Sequence, residues 1–258
     1  MRLMKRILSA AAVLALSASL LVGCSSGTAS SVPVSASSAA ESTVSSVEET
    51  ASSAVDENVA AAAQLLNDLT GSYQELWPVI LADEYQQTWL DVCTALVGED
   101  NAEAAFEKLS SMVTGDVYGE DAVKAYANGG GAYFCGFTNS LAILTFDGET
   151  STISGTDKDG NVLFSHTYHY IGMEPVHGLY EFESDDADSG EFTYFFLAPD
   201  TSAETYHIEF RYGSDAEALS QYDAGEYAYW VASGISTDCD QTMIDNCIEL
   251  FCTENLAG

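Results

Sequence analysis

Basic residues are scarce: lysine and arginine total 7 among 258 residues, against 40 aspartates and glutamates, for a formal net charge of −33. A surface so acidic repels phosphate backbones and anionic headgroups, which excludes nucleic acid and electrostatic membrane docking as partners. Histidine is also rare, with only four. The sequence contains no G-x-S-x-G, no H-E-x-x-H and no C-x-x-C, so the common hydrolase, zinc-protease and dithiol signatures are absent. Gly129-Gly130-Gly131 lacks the lysine and hydroxyl context of a phosphate-cradling loop. Beyond residue 21 no apolar run is long enough to span a bilayer. Nothing here reads as an enzyme.

What is present begins at the N-terminus. Arg2, Lys5 and Arg6 precede an almost uninterrupted apolar stretch from Ile7 to Leu21. That stretch is short for a membrane span of ~20 residues and suits the core of a signal peptide. It ends in Leu21-Val22-Gly23-Cys24, which resembles the lipobox of bacterial lipoproteins. The resemblance implies cleavage before Cys24, a diacylglycerol on its thiol, and a cell-membrane lipid anchor facing outside the cytoplasm. An ordinary signal peptide with an incidental cysteine is the alternative. Cleavage would remove three basic residues, leaving Lys108, Lys124, Lys158 and Arg211 against 40 carboxylates, a net charge of −36.

Composition divides the rest. Residues 1–23 are the signal segment, and 24–56 are the lipidated cysteine followed by a Ser/Ala-rich stretch with one proline and no aromatic. Such a stretch cannot bury enough apolar area to offset its ordering entropy, so a disordered tether is expected. Residues 57–258 hold every tryptophan, tyrosine and phenylalanine and suit one monomeric domain. Five cysteines fall there (Cys93, Cys135, Cys239, Cys247 and Cys252), and their pairing is open.

The domain opens with helical patterns over Ala60–Leu69 and Tyr73–Leu81, then at Trp89, Cys93 and Val97, and at Ala105, Phe106, Leu109 and Met112. From Ala132 to Tyr212 the period becomes two. Asp147-Gly148 and Asp159-Gly160 mark hairpins, and strands are expected over 162–170, 180–183, 192–197 and 205–212. Asp185–Gly190 reads as an acidic hairpin loop, without the closing glutamate of a calcium loop. Met243, Ile244, Cys247, Ile248 and Phe251 share one face of a final helix. The fold class is mainly β with flanking helices: an antiparallel barrel preceded by N-terminal helices and closed by a C-terminal one.

Of the four histidines, His166 and His169 lie three apart on one strand and face opposite ways, so they cannot share a ligand. His177 follows Pro175 in a loop, where a solvent-exposed position is expected. His207 differs, because Glu209 sits two residues on and shares its strand face, close enough to share a cation.

Around this pair the sequence resembles the ZinT family, exported zinc-binding calycin (lipocalin-like) barrels that also form the C-terminal domain of AdcA-type lipoproteins. Ile208–Leu219, I-E-F-R-Y-G-S-D-A-E-A-L, resembles the segment that follows the family's first metal histidine of an H-x-H pair. Tyr73–Ile80, Tyr168–Gly172, Tyr180–Glu183 and Asp188–Gly190 with Tyr194 resemble further motifs in the same order. The alignment places the three metal positions on Asp200, His207 and Glu209, with two family histidines replaced by carboxylates. The resemblance implies zinc as ligand, with manganese or another divalent cation admitted by the oxygen donors. It also implies a metal-import binding protein or transporter as partner. Ligation needs a neutral His207, so an ordinary imidazole would lose the metal below about pH 6.5. A metal-free calycin barrel binding a small apolar ligand or a surface protein is the alternative.

Overall fold

The structure, a computed structural model, describes residues 57–127, 129, 131–198 and 207–256. The segments expected to be signal and tether, Cys24 with its expected lipid, and Asp200 lie outside the described residues.

Eight antiparallel strands close into a barrel in chain order. They are β1 (Gly71–Glu75), β2 (Ile143–Asp147), β3 (Thr152–Thr156), β4 (Val162–Met173), β5 (Tyr180–Ser184), β6 (Tyr194–Leu197), β7 (His207–Gly213) and β8 (Ala232–Ser236). Each strand pairs with the next, and β1 pairs with both β2 and β8, so no edge remains open. The tight turns follow from local chemistry. After β3 the Asp157 carboxylate accepts from the backbone N–H groups of Asp159 and Asn161, and Gly160 takes φ +82°, a conformation glycine tolerates without strain.

A helical layer precedes and follows the barrel. The chain is helical over 57–68 (α1), and α2 (Leu76–Ile80), α3 (Gln86–Val97), α4 (Ala102–Val113) and α5 (Glu120–Ala125) come before β2. A short α6 (Ala216–Leu219) follows β7, and α7 (Gln241–Leu256) ends the described chain. Pro78 sits in the first turn of α2, where its missing N–H removes no helical bond. Trp77 and Trp89 meet Phe251 edge-on, with ring centroids 4.8 and 6.0 Å apart, which locks α2 and α3 onto α7. Inside this layer the Trp89 indole donates to the Ile80 carbonyl at 2.7 Å, so its polar atom is satisfied although the ring is fully buried.

One face of the sheet is aromatic. Tyr73, Phe146, Phe164, Tyr168, Phe195, Phe210 and Tyr212 are all buried there and join the single hydrophobic core. The calycin-like barrel with flanking helices is therefore present as expected. Two readings need correction. Residues 71–75 form strand β1, not a continuation of helix across Tyr73–Leu81. Residues 232–236 form β8, which sequence periodicity did not mark.

Candidate functional site

Strand β7 alternates polar and apolar side chains: His207, Glu209 and Arg211 on one face, Ile208, Phe210 and Tyr212 on the other. Alternation normally signals a strand with one wet face. Here all seven residues of β7 are buried, so the polar face is enclosed as well. On the apolar side Phe210 meets Phe137 and Phe195, and Tyr212 meets Trp230 at 4.9 Å. The Tyr212 hydroxyl accepts from the Thr138 N–H at 2.6 Å and donates to its carbonyl at 2.9 Å.

His207 and Glu209 are each 2 % exposed and stand opposite Ile235 and Ser233 of β8. Burial in an apolar setting lowers the His207 pKa to about 3, because a charged imidazolium would lose its hydration. The ring is thus neutral at physiological pH, the form that ligates metals. The Glu209 carboxylate is close enough to Cys135, Cys247 and Tyr222 for its charge to raise all three of their pKa values, behind the larger effect of burial. At the end of β6, the Ala198 N–H donates to the Glu209 carbonyl at 2.9 Å. The chain leading toward Asp200 thus runs beside Glu209. The ordinary-imidazole expectation of metal loss below pH 6.5 is overturned by this burial: proton competition at His207 is displaced toward pH 3.

The structure therefore brings two of the three proposed ligands together, while Asp200 falls outside the described residues. Among the described residues no three His, Cys, Asp or Glu side chains converge as a metal-ligating group. Nor is His177 exposed, as its loop position implied. It is 5 % exposed, packed at a tilt against Tyr222 with ring centroids 3.9 Å apart. The cause is local. Glu174, fully buried, turns the chain after Pro175 by accepting from the Val176 and His177 N–H groups at 3.0 and 2.6 Å. Burial alone would raise the Glu174 pKa, but the nearby His177 ring, 3.5 Å away, and the two N–H donors outweigh it and leave the carboxyl below its ordinary value. His166 and His169 behave as expected: His166 Nδ1 pairs with Asp186 at 2.8 Å and the exposed His169 with Asp185 at 2.7 Å, against the acidic loop.

Arg211 completes the polar face of β7, and sequence reasoning missed it. Its guanidinium is fully buried, donates to the carbonyls of Leu219, Gln221 and Tyr227, and lies 4.2 Å above the Tyr222 ring. It staples the segment after β7 over the strand that carries His207 and Glu209. A separate groove of about 340 Å³ opens between α2, the end of α4 and residues 134–136, lined by Glu75, Trp77, Leu81, Val113, Phe134 and Cys135. No described helix is long and apolar enough to cross a membrane.

No protein-family model matches the sequence, and no curated protein matches it. Solved structures do. The chain is similar to the Zn(II)-bound ZinT-like domain of Streptococcus pneumoniae AdcA, with 15% identity and a TM-score of 0.45, over 71% of this chain and 89% of that one. It is also similar to Zn(II)-bound AdcA from Streptococcus pneumoniae, with 16% identity and a TM-score of 0.41, over 72% of this chain and 35% of that one.

Proposed function

We propose that this chain is a divalent-cation-binding module rather than an enzyme, held outside the cytoplasm by a lipid on Cys24. In this reading it takes zinc first, for scavenging or for delivery to a metal importer. The observation that carries the metal reading is the enclosed pair on β7: a neutral, buried imidazole at His207 beside the buried carboxylate of Glu209. Neutral imidazole plus carboxylate is an ordinary donor set for zinc. Asp200 is the third ligand, and water would fill the remaining position.

Calorimetric titration with zinc and with manganese tests it, using wild type, Asp200→Ala, His207→Ala and Glu209→Ala. Each substitution removes a direct ligand and should weaken zinc by more than the 10–100-fold seen for groups that only orient one. With a single imidazole, zinc should lead manganese by less than a three-histidine site allows. Equal affinity in all four proteins, or no binding by wild type, would overturn the metal reading.

The groove against Trp77 favours a second reading, a metal-free barrel that takes a small apolar ligand there. An apolar fluorophore that quenches Trp77, with no zinc heat in the titration, would support that reading in place of the first.

A further inference from the structure

All five described cysteines are free thiols, and the sequence leaves their pairing open. The structure narrows it. Cys93 lies one helical turn beyond Trp89 on α3, and Cys252 follows Phe251 on α7. The Trp89 and Phe251 rings meet edge-on at 6.0 Å along the α3–α7 interface, which carries the two thiols to the same place. There the two sulfurs are near enough to act on each other's ionisation, and both residues are 0 % exposed. The remaining cysteines have other surroundings. The Cys135 thiol donates to the Tyr133 carbonyl at 3.7 Å, and Cys239 is only half-buried in the turn before α7. Cys247 shares a helix with Cys252 at a spacing of five, which puts it on a different side of α7.

We propose that Cys93 and Cys252 form a disulfide joining α3 to the C-terminal helix. In that step each Sγ gives up its proton and the pair gives up two electrons, so that one Sγ–Sγ bond forms. The oxidant is a disulfide, small-molecule or protein-borne: its S–S bond breaks through a mixed disulfide and leaves as two thiols. Burial pushes both cysteine pKa values up, and it is the thiolate that attacks, so exchange happens while the chain is folding, before α3 and α7 close over the pair. The bond would link residues 93 and 252, with all of the barrel except β1 inside the loop. Cross-linking over so long a loop removes more unfolded-state freedom than a short one does.

The test uses the mature chain carrying Cys24→Ser, so that only the five domain thiols count. It is unfolded and refolded in a mixture of oxidised and reduced glutathione, and in parallel in reductant alone. Oxidative refolding should lower the titratable thiols from five to three. It should also give one non-reduced Glu-specific peptide pair containing Cys93 and Cys252, lighter by two hydrogens. The midpoint of thermal unfolding should rise by on the order of 10 °C over the reduced protein. Cys93→Ser and Cys252→Ser should each abolish the cross-link and the gain. Five titratable thiols after oxidative refolding, or a cross-link through Cys135, Cys239 or Cys247, would overturn the proposal. The mapping is done on unsubstituted domain cysteines, so it does not depend on the serine variants folding, and it leaves the metal site untouched.

Discussion

At the residue scale His207 shows how burial sets chemistry. Its folded pKa, about 3, lies below the ordinary imidazole value, because the charged ring would be stranded away from water. Between those values the unfolded chain binds a proton that the folded chain refuses, so stability falls as pH drops from about 6.5 toward 3. The slope approaches about 1.4 kcal/mol per pH unit from this one group. Glu174 acts in the same direction but in a lower window. Its pKa is depressed, so its contribution holds above the ordinary glutamate value and is lost as pH falls from there through the lower folded value. Urea unfolding of metal-free protein should therefore lose stability from pH 6.5 downward in wild type, and His207→Gln should flatten that first segment only. A wild-type slope unchanged by the substitution would mean that His207 is solvated. The pairing of His207 with Glu209 was legible, because a spacing of two on a strand guarantees a shared face. The burial of His177 was not, since a carboxylate capping a loop after proline leaves no periodic trace.

At the element scale a cation holds the segment that follows β7, while aromatic contact holds the strand's other face. Arg211 donates to three carbonyls of the segment that follows it, and no carboxylate hydrogen-bonds its guanidinium among the described residues. Arg211→Met keeps much of the volume but leaves those carbonyls buried and unpaired, at ~1–3 kcal/mol for each such group. We expect a loss of about 3–5 kcal/mol, the range for removing one partner of a buried charged network. Arg211→Lys should lose nearly as much, because an ammonium lacks the planar fork that reaches carbonyls on two sides. Denaturant midpoints of the two variants would check this, and a loss under 1 kcal/mol would show that the staple contributes little. The same element explains what periodicity could and could not reveal. β4 and β5 have regular alternation and hairpin turns, so they stood out. β1 is five residues ending against Pro78, and its apolar residues fit a helix equally well. β8, Ala-Ser-Gly-Ile-Ser, has little side chain to alternate, and Gly234 leaves space that Ile208 and Phe137 fill. Both strands exist because each completes the other's hydrogen bonds across the barrel seam, a contact between positions 73 and 236 that no local pattern encodes.

At the scale of the whole molecule, that seam decides where the folding unit begins and ends. β1 starts at Gly71, β8 ends at Ser236, and α7 packs back on α2 and α3, so neither end of 57–256 can be trimmed without opening the barrel or baring its aromatic layer. Among the described residues the core closes on itself. Every aromatic residue lies after residue 57, and the described part of α1 already buries Ala62, Leu65 and Leu66 in the core. If the Ser/Ala-rich stretch is a tether, residues 57–258 expressed alone should unfold cooperatively as a monomer, with a stability equal to that of the mature chain to within about 0.5 kcal/mol. Cys24→Ala in the full chain should match them in stability while leaving the membrane fraction, because the proposed anchor needs the Cys24 thiol. Separation of the two readouts is the point of the pair. A fragment that fails to fold while the mature chain folds would place part of the core before residue 57. Wild-type chain found wholly in the medium, with residue 24 free of lipid, would remove the anchor and leave the barrel as it stands.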